Sequence, residues 1–202
     1  FKADFAQARS MQAFGEGLPT RVFSMQERPG SNMTSGGIIE TGRDLDIAMS
    51  DNAWLAVQDD SGNEAYTKVG TLNITAQGML VTSHGRQVIG EGGPVILPVP
   101  IEKISFSEDG AIQVRPQGAP ANFLEEVDTL RVVEGNSREL EKGNDGLFRP
   151  VPGQTVDTSA NVKVLSGALE MSNVNPVHEM VDMINHQRQF ELQVKLMKTA
   201  EE

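Results

Sequence analysis

At 202 residues, with 38% hydrophobic content and no cysteine, the chain is long enough to bury a sizeable core and needs no disulfide to hold it. Seventeen basic against twenty-eight acidic residues give a formal net charge of -11, a surface that repels nucleic-acid phosphates and anionic lipid alike. Nucleic acid is therefore not an expected partner, and no apolar run reaches membrane-spanning length.

Phe1, Phe5 and Ala8 share one helical face, but Gly15, Gly17 and Pro19 close that pattern, so a short helix at most is predicted at the start. Phe1-Lys2-Ala3-Asp4 is neither a signal peptide nor an initiator start, which leads us to expect a preceding segment. Arg28 to Gly37 is rich in Gly, Ser, Pro and Asn and reads as a connector. After it the period changes to two. Leu45, Ile47 and Met49 alternate with Asp44 and Asp46, Trp54 through Gln58 follows beyond the Asp51-Asn52 turn, and Ala65 to Lys68 returns after the loop Asp59 to Asn63.

Turns recur at Gln77-Gly78, His84-Gly85, Gly92-Gly93-Pro94, Asp109-Gly110 and Asn144-Asp145-Gly146, the short spacing of an antiparallel meander or barrel. The clearest hairpin sets Ile104 and Phe106 against Ile112 and Val114 across Glu108-Asp109-Gly110. Pro98 and Pro100 cannot donate to a ladder, so Val99 to Ile101 is read as edge or loop. Strands are predicted at Thr129–Val133, Glu139–Lys142 and Leu147–Arg149. A linker then opens at Pro150, and Lys163–Leu169 is a last extended piece.

From Asn175 the pattern becomes helical. Asn175 is a good N-cap, Pro176 suits a first turn, and Glu179 and Asp182 favour the positive end of the helix dipole. Met180, Met183, Gln187, Phe190, Val194 and Met197 follow alternating steps of three and four, the seam that keeps one stripe against a neighbouring helix. No glycine or proline interrupts the stretch to Glu202, a rod of roughly 40 Å at about 1.5 Å per residue. Everything before it reads as β, so the seam is expected to pack on something outside the chain. The expected class is mainly β: an antiparallel barrel-like domain followed by a long coiled-coil-type helix. The boundaries are an extended connector segment over 1–40, a β-rich outer domain over 41–150, a linker over 151–175 and the heptad helix over 176–202.

No catalytic hypothesis survives this reading. His178, Asp182 and His186 lie on one helix face, but a solvated polar stripe explains them better than a metal. Asp59, Asp60, Asn63 and Glu64 depart from the twelve-residue calcium pattern and read as a turn. Gly90 to Gly93 leads into Pro94 and a strand, not a helix N-terminus that could hold phosphate. Glu125, Glu126 and Asp128 could suggest paired glycosidase carboxylates. Alternation instead places Glu126 and Asp128 on one exposed strand face, and the three acids are expected to be solvated, with Val127 and Leu124 turned inward. No metal, cofactor or small-molecule substrate is expected.

The motifs taken together resemble the axial proteins of the bacterial flagellum, the rod and hook family. Leu45 to Met49 leading to Trp54 to Gln58 is similar to that family's first core strands, although Asn52-Ala53-Trp54 stands where glycine and phenylalanine are usual. Ala65 to Gly70, then Gly78 to Thr82 and Gly85, is similar to its central motif, and Leu169 to Asn175, with Ser172, Asn173, Val174 and Asn175, to the signature before its C-terminal helix. Asp145 to Arg149, Leu165 to Leu169 and the short stretch before Leu45 look most like the proximal rod members.

The resemblance implies a structural subunit in the periplasmic rod of the basal body. Such a subunit is exported through the flagellum's own type III channel and partnered by other rod subunits. It also implies a partner helix before Phe1 and a continuation after Glu202. A distal rod or hook subunit is the nearer alternative, and a secreted β-rich hydrolase of cell-wall glycan the alternative of another class.

Overall fold

The computed structural model describes Lys2 and residues 4–12, 22–120, 122–158 and 162–200. Its first element is a strand. β1 (Asp4–Gln12) and β2 (Val22–Ser31) form an antiparallel hairpin in which Asp4 faces Ser31 and Gln12 faces Val22. This corrects the short helix read from Phe1, Phe5 and Ala8. A spacing of four matches a helical face by coincidence, whereas the ladder partner begins only at Val22 and no local pattern announces it. The connector accordingly starts at Asn32, not Arg28. Phe1, Gly15, Gly17, Pro19, Glu201 and Glu202 lie outside the described residues.

The body continues through β3 (Ile38–Glu40), β4 (Ile47–Met49), β5 (Ala53–Gln58), β6 (Glu64–Thr67), β7 (Leu72–Ile74), β8 (Leu80–Thr82), β9 (Ile89–Gly90) and β10 (Gly93–Pro94). Then come β11 (Ile101–Phe106), β12 (Ala111–Pro116), β13 (Glu125–Thr129), β14 (Val132–Glu134), β15 (Leu140–Lys142), β16 (Phe148–Pro150), β17 (Val164–Ser166) and β18 (Ala168–Glu170). A single helix, α1 (Pro176–Ala200), closes the described chain.

The largest sheet is antiparallel, ordered β14-β5-β6-β16-β15. A second sheet, β11-β12-β13, contains the predicted hairpin in register, Ile104 opposite Val114 and Phe106 opposite Ile112. Its turn bends at Gly110, whose φ of 88° suits a residue without Cβ. Two-stranded ribbons β4–β17, β3–β18 and β7–β8 and isolated bridges such as Val57 to Val88 and Gly90 to Leu130 carry the ladder around the core, giving a barrel-like body. The last predicted extended piece is two strands, because Gly167, at φ 72°, turns the chain between β17 and β18.

β5 shows how the core is built. Leu55 and Val57 point into the main cluster with Ile47, Leu72, Leu80, Ile112, Val114 and Val164, while Trp54 and Ala56 point to a second cluster with Tyr66, Val133, Leu140 and Phe148. Both faces of the strand are covered, so its apolar residues run without interruption. β4 behaves likewise: Ala48 is as buried as Ile47 and Met49, and the alternation expected there is lost. Trp54 lies 4.3 Å from the Phe148 ring centroid, and its indole N–H donates to the Gly135 carbonyl at 2.9 Å.

Candidate assembly surface

The start of α1 is built as its sequence dictates. Asn175 Oδ1 accepts from the backbone N–H groups of Val177 (3.0 Å) and His178 (3.4 Å), satisfying two donors that the first turn leaves without partners, and Glu179 N donates to the Asn175 carbonyl. Ser172 Oγ accepts from Val174 N at 3.1 Å, bending the chain just before the cap. Asn173 Nδ2 donates to the carbonyls of Asn32 (2.8 Å) and Thr34 (3.0 Å), so this side chain ties the approach to the helix onto the connector. Val174 is half-buried.

Beyond the cap the helix is uncovered. Met183 and Phe190 are 65% and 66% exposed and Val194 is 40% exposed; Met180, Gln187 and Met197 are exposed as well. The seam does not pack on this chain's own β body. Five further apolar residues, Val177, Val181, Ile184, Leu192 and Leu196, are also exposed and were missed by the heptad reading. At about 100° per residue they fall on a second stripe roughly 140° round the helix from the seam. Looking for a second stripe once the first had been assigned would have found them. A helix apolar on two sides can be covered only by neighbours on both.

A buried charge cluster lies at the root of the helix. Glu170, at the end of β18, places Oε1 2.6 Å from Lys2 Nζ and 3.1 Å from the Gly36 N–H, and Oε2 3.2 Å from Lys68 Nζ. The Lys2, Glu170 and Lys68 side chains retain only 5%, 5% and 9% of their exposure. Burial pushes the Glu170 carboxyl up, but the Lys2 hydrogen bond and the Lys68 charge outweigh it and hold it below its ordinary value. Burial lowers the Lys68 ammonium in spite of Glu170. Lys2 Nζ also donates to the Thr34 carbonyl, and Lys68 Nζ to the Ser50 and Asp51 carbonyls, each within 2.9 Å. Gly36 is pressed so closely on the Met171 carbonyl that a Cβ there would collide with it. Sequence reading missed this triad entirely, since its members lie up to 168 residues apart.

Several of the residues weighed for chemistry make structural hydrogen bonds. Asp59 Oδ1 accepts from the Ser61 and Asn63 N–H groups, both at 2.9 Å, as a turn residue does. The Arg149 hydrogen bond to Asp59 holds its carboxyl below the ordinary value, and the same guanidinium holds Asp145 at about 2. Glu64 accepts from Tyr66 and Arg131, and burial together with that carboxylate pushes the Tyr66 phenol to about 12.

His178 Nε2 lies 3.5 Å from Asp182 on an open face, and no cluster of three metal-ligating side chains occurs among the described residues. Glu125 and Glu126 are solvated on β13, but two expectations beside them fail. Leu124 is 49% exposed, because it precedes the strand and follows no pleat. Asp128 is half-buried and accepts from Thr129 N at 2.8 Å and Gly92 N at 3.4 Å, which makes it part of the packing between β13 and the β9–β10 turn.

Residues 48–114 match the family described as "Flagellar hook protein FlgE/F/G D1 domain", and residues 165–202 match "Flagellar basal body rod FlgEFG protein C-terminal". The chain is 37% identical over 208 residues to the flagellar basal-body rod protein FlgF of Escherichia coli (strain K12), spanning 100% of this chain and 82% of that protein. It is 36% identical, with the same coverage, to FlgF of Salmonella typhimurium. Against the rod protein FlgG of Agrobacterium fabrum identity is 32%, over 84% of this chain and 65% of the relative. With 37% identity to a FlgF along its whole length and family matches over residues 48–114 of the β body and 165–202, which include the cap motif, the chain belongs to the flagellar basal-body rod family and is FlgF-like within it.

Proposed function

We propose that α1 is the surface through which this structural subunit of the basal-body rod joins its neighbours, and that its work is mechanical. The observation carrying this reading is the exposed seam of Met180, Met183, Gln187, Phe190, Val194 and Met197 on a helix whose own body leaves it bare. Apolar surface gains about 25 cal/mol for each Å² removed from water, so a stripe several turns long is a strong drive to associate. In this reading residues 176–202 form part of an inner tube and residues 41–150 an outer layer, joined by the linker 151–175 and the segment 1–40. Stacked subunits then pass torque along the rod across the periplasm.

Delivery through the flagellum's own export apparatus fits a chain of this family, and neither a small-molecule ligand nor catalysis enters the mechanism. Replacing Phe190 and Val194 with Asp places two charges in the seam. The double variant is expected to lose rod incorporation and motility while its β body melts as before. Normal swimming by that variant would overturn the proposal.

A further inference from the structure

We infer that Glu170 is a positioning residue: with Lys2 and Lys68 it forms a buried clamp that fixes the direction in which α1 leaves the β body. The clamp joins three separate parts of the chain. Glu170 belongs to the strand that leads into the helix, Lys2 to the N-terminal segment, and Lys68 to the turn between β6 and β7, where its ammonium also binds the carbonyls of Ser50 and Asp51 ahead of β5. Around it, Met171 N donates to the Gly37 carbonyl and Asn173 Nδ2 to Asn32 and Thr34, so residues 170–173 lie against 32–37 along their length. Only Val174 then separates this stitched segment from the cap at Asn175, too little chain to let the helix swing widely.

One carboxylate bridging two buried ammonium groups suits a positioning role better than a purely stabilising one. Desolvation offsets most of the Coulomb gain of a buried pair, whereas the geometry it imposes is strict. An amide cannot replace the carboxylate. Gln at 170 could still accept from Lys2 and Gly36 through Oε1, but its NH2 group would face the Lys68 ammonium, donor against donor.

The inference rests on the mechanical reading only for its consequence in the cell, and its test separates the two. The chain has no cysteine, so Glu126→Cys and Gln193→Cys give one spin label on exposed β13 and one on exposed α1. Unaltered protein is expected to give a narrow distance distribution. Glu170→Gln should broaden it by about twofold or more and speed hydrogen exchange of residues 168–175 by about tenfold, in a body that still unfolds cooperatively but at a lower midpoint, because two buried ammonium groups lose their counter-charge. Should that variant fail to fold, Lys68→Met carries the same expectation. An unchanged distribution in the folded variant overturns the clamp. Broadening accompanied by normal swimming upholds the clamp and overturns torque transmission through the root.

Discussion

The β body and the terminal helix use the same apolar residue types to opposite ends. In the body Leu55, Val57, Leu72 and Leu80 are fully buried, and even a strand with no polar face is covered on both sides. On the helix every apolar side chain from Val177 to Met197 is exposed, on two stripes rather than one. The body satisfies its hydrophobic surface within one chain and the helix does not. Under the assembly role proposed for α1, folding and association fall to different segments, and a substitution can reach one without the other.

The contrast is most directly broken by truncating one residue of each kind. Leu55→Ala is expected to destabilise the body by about 2–5 kcal/mol through lost burial and a residual cavity, whereas Phe190→Ala, although it deletes a larger side chain, should change the isolated chain's stability by less than about 0.5 kcal/mol. Urea denaturation of both variants measures this, and equal costs would mean that the helix packs on the body in solution.

Acid should sharpen the same division. Asp59, Asp145 and Glu170 all lie below their ordinary carboxylate values in the folded body. Between those ordinary values and the folded ones the unfolded chain binds more protons, so their contribution is complete above about pH 5 and is lost as pH falls toward 2. Urea midpoints of the body should fall over that window. Arg149→Ala should flatten the fall by returning Asp145 and Asp59 toward ordinary values, at a small neutral-pH cost because the Arg149 guanidinium is partly solvated.

The smallest effect is expected at Glu125 and Glu126. Converting both to Gln should leave stability within about 0.5 kcal/mol, and the unaltered protein should release no fragments from purified peptidoglycan. Release that disappears in the double variant would reinstate the glycan-hydrolase alternative. Asp128 does not belong in this pair, because its oxygens hold Thr129 N and Gly92 N.

How far the sequence could be read follows from how local each determinant is. The Ile104–Val114 hairpin is set by alternation and a turn glycine within a dozen residues, and it folds as read. The cap at Asn175 is more local still. β1 could not be found that way, for its ladder belongs to a strand beyond Val22, nor could the burial of Ala48, which depends on what covers the second face of β4. The Lys2–Glu170–Lys68 triad joins residues up to 168 positions apart, and no spacing rule reaches so far. The first seam of the helix was legible because its period is regular. The second is harder to see, because the charge of Arg188 breaks its run, and only a deliberate search for a further apolar face recovers it.

The packing around Trp54 has an optical consequence. It is the chain's one tryptophan, wedged against Phe148, hydrogen-bonded to Gly135 and lying 5.5 Å beneath the Lys68 ammonium. Its emission is therefore that of a dry indole beside a fixed positive charge, and it shifts when the body opens or Lys68 moves. None of these groups belongs to α1, so the pairing proposed for the helix touches none of them directly. The molecule thus carries a fluorophore that sees the body and the root of the helix and is blind to association along the rest of it.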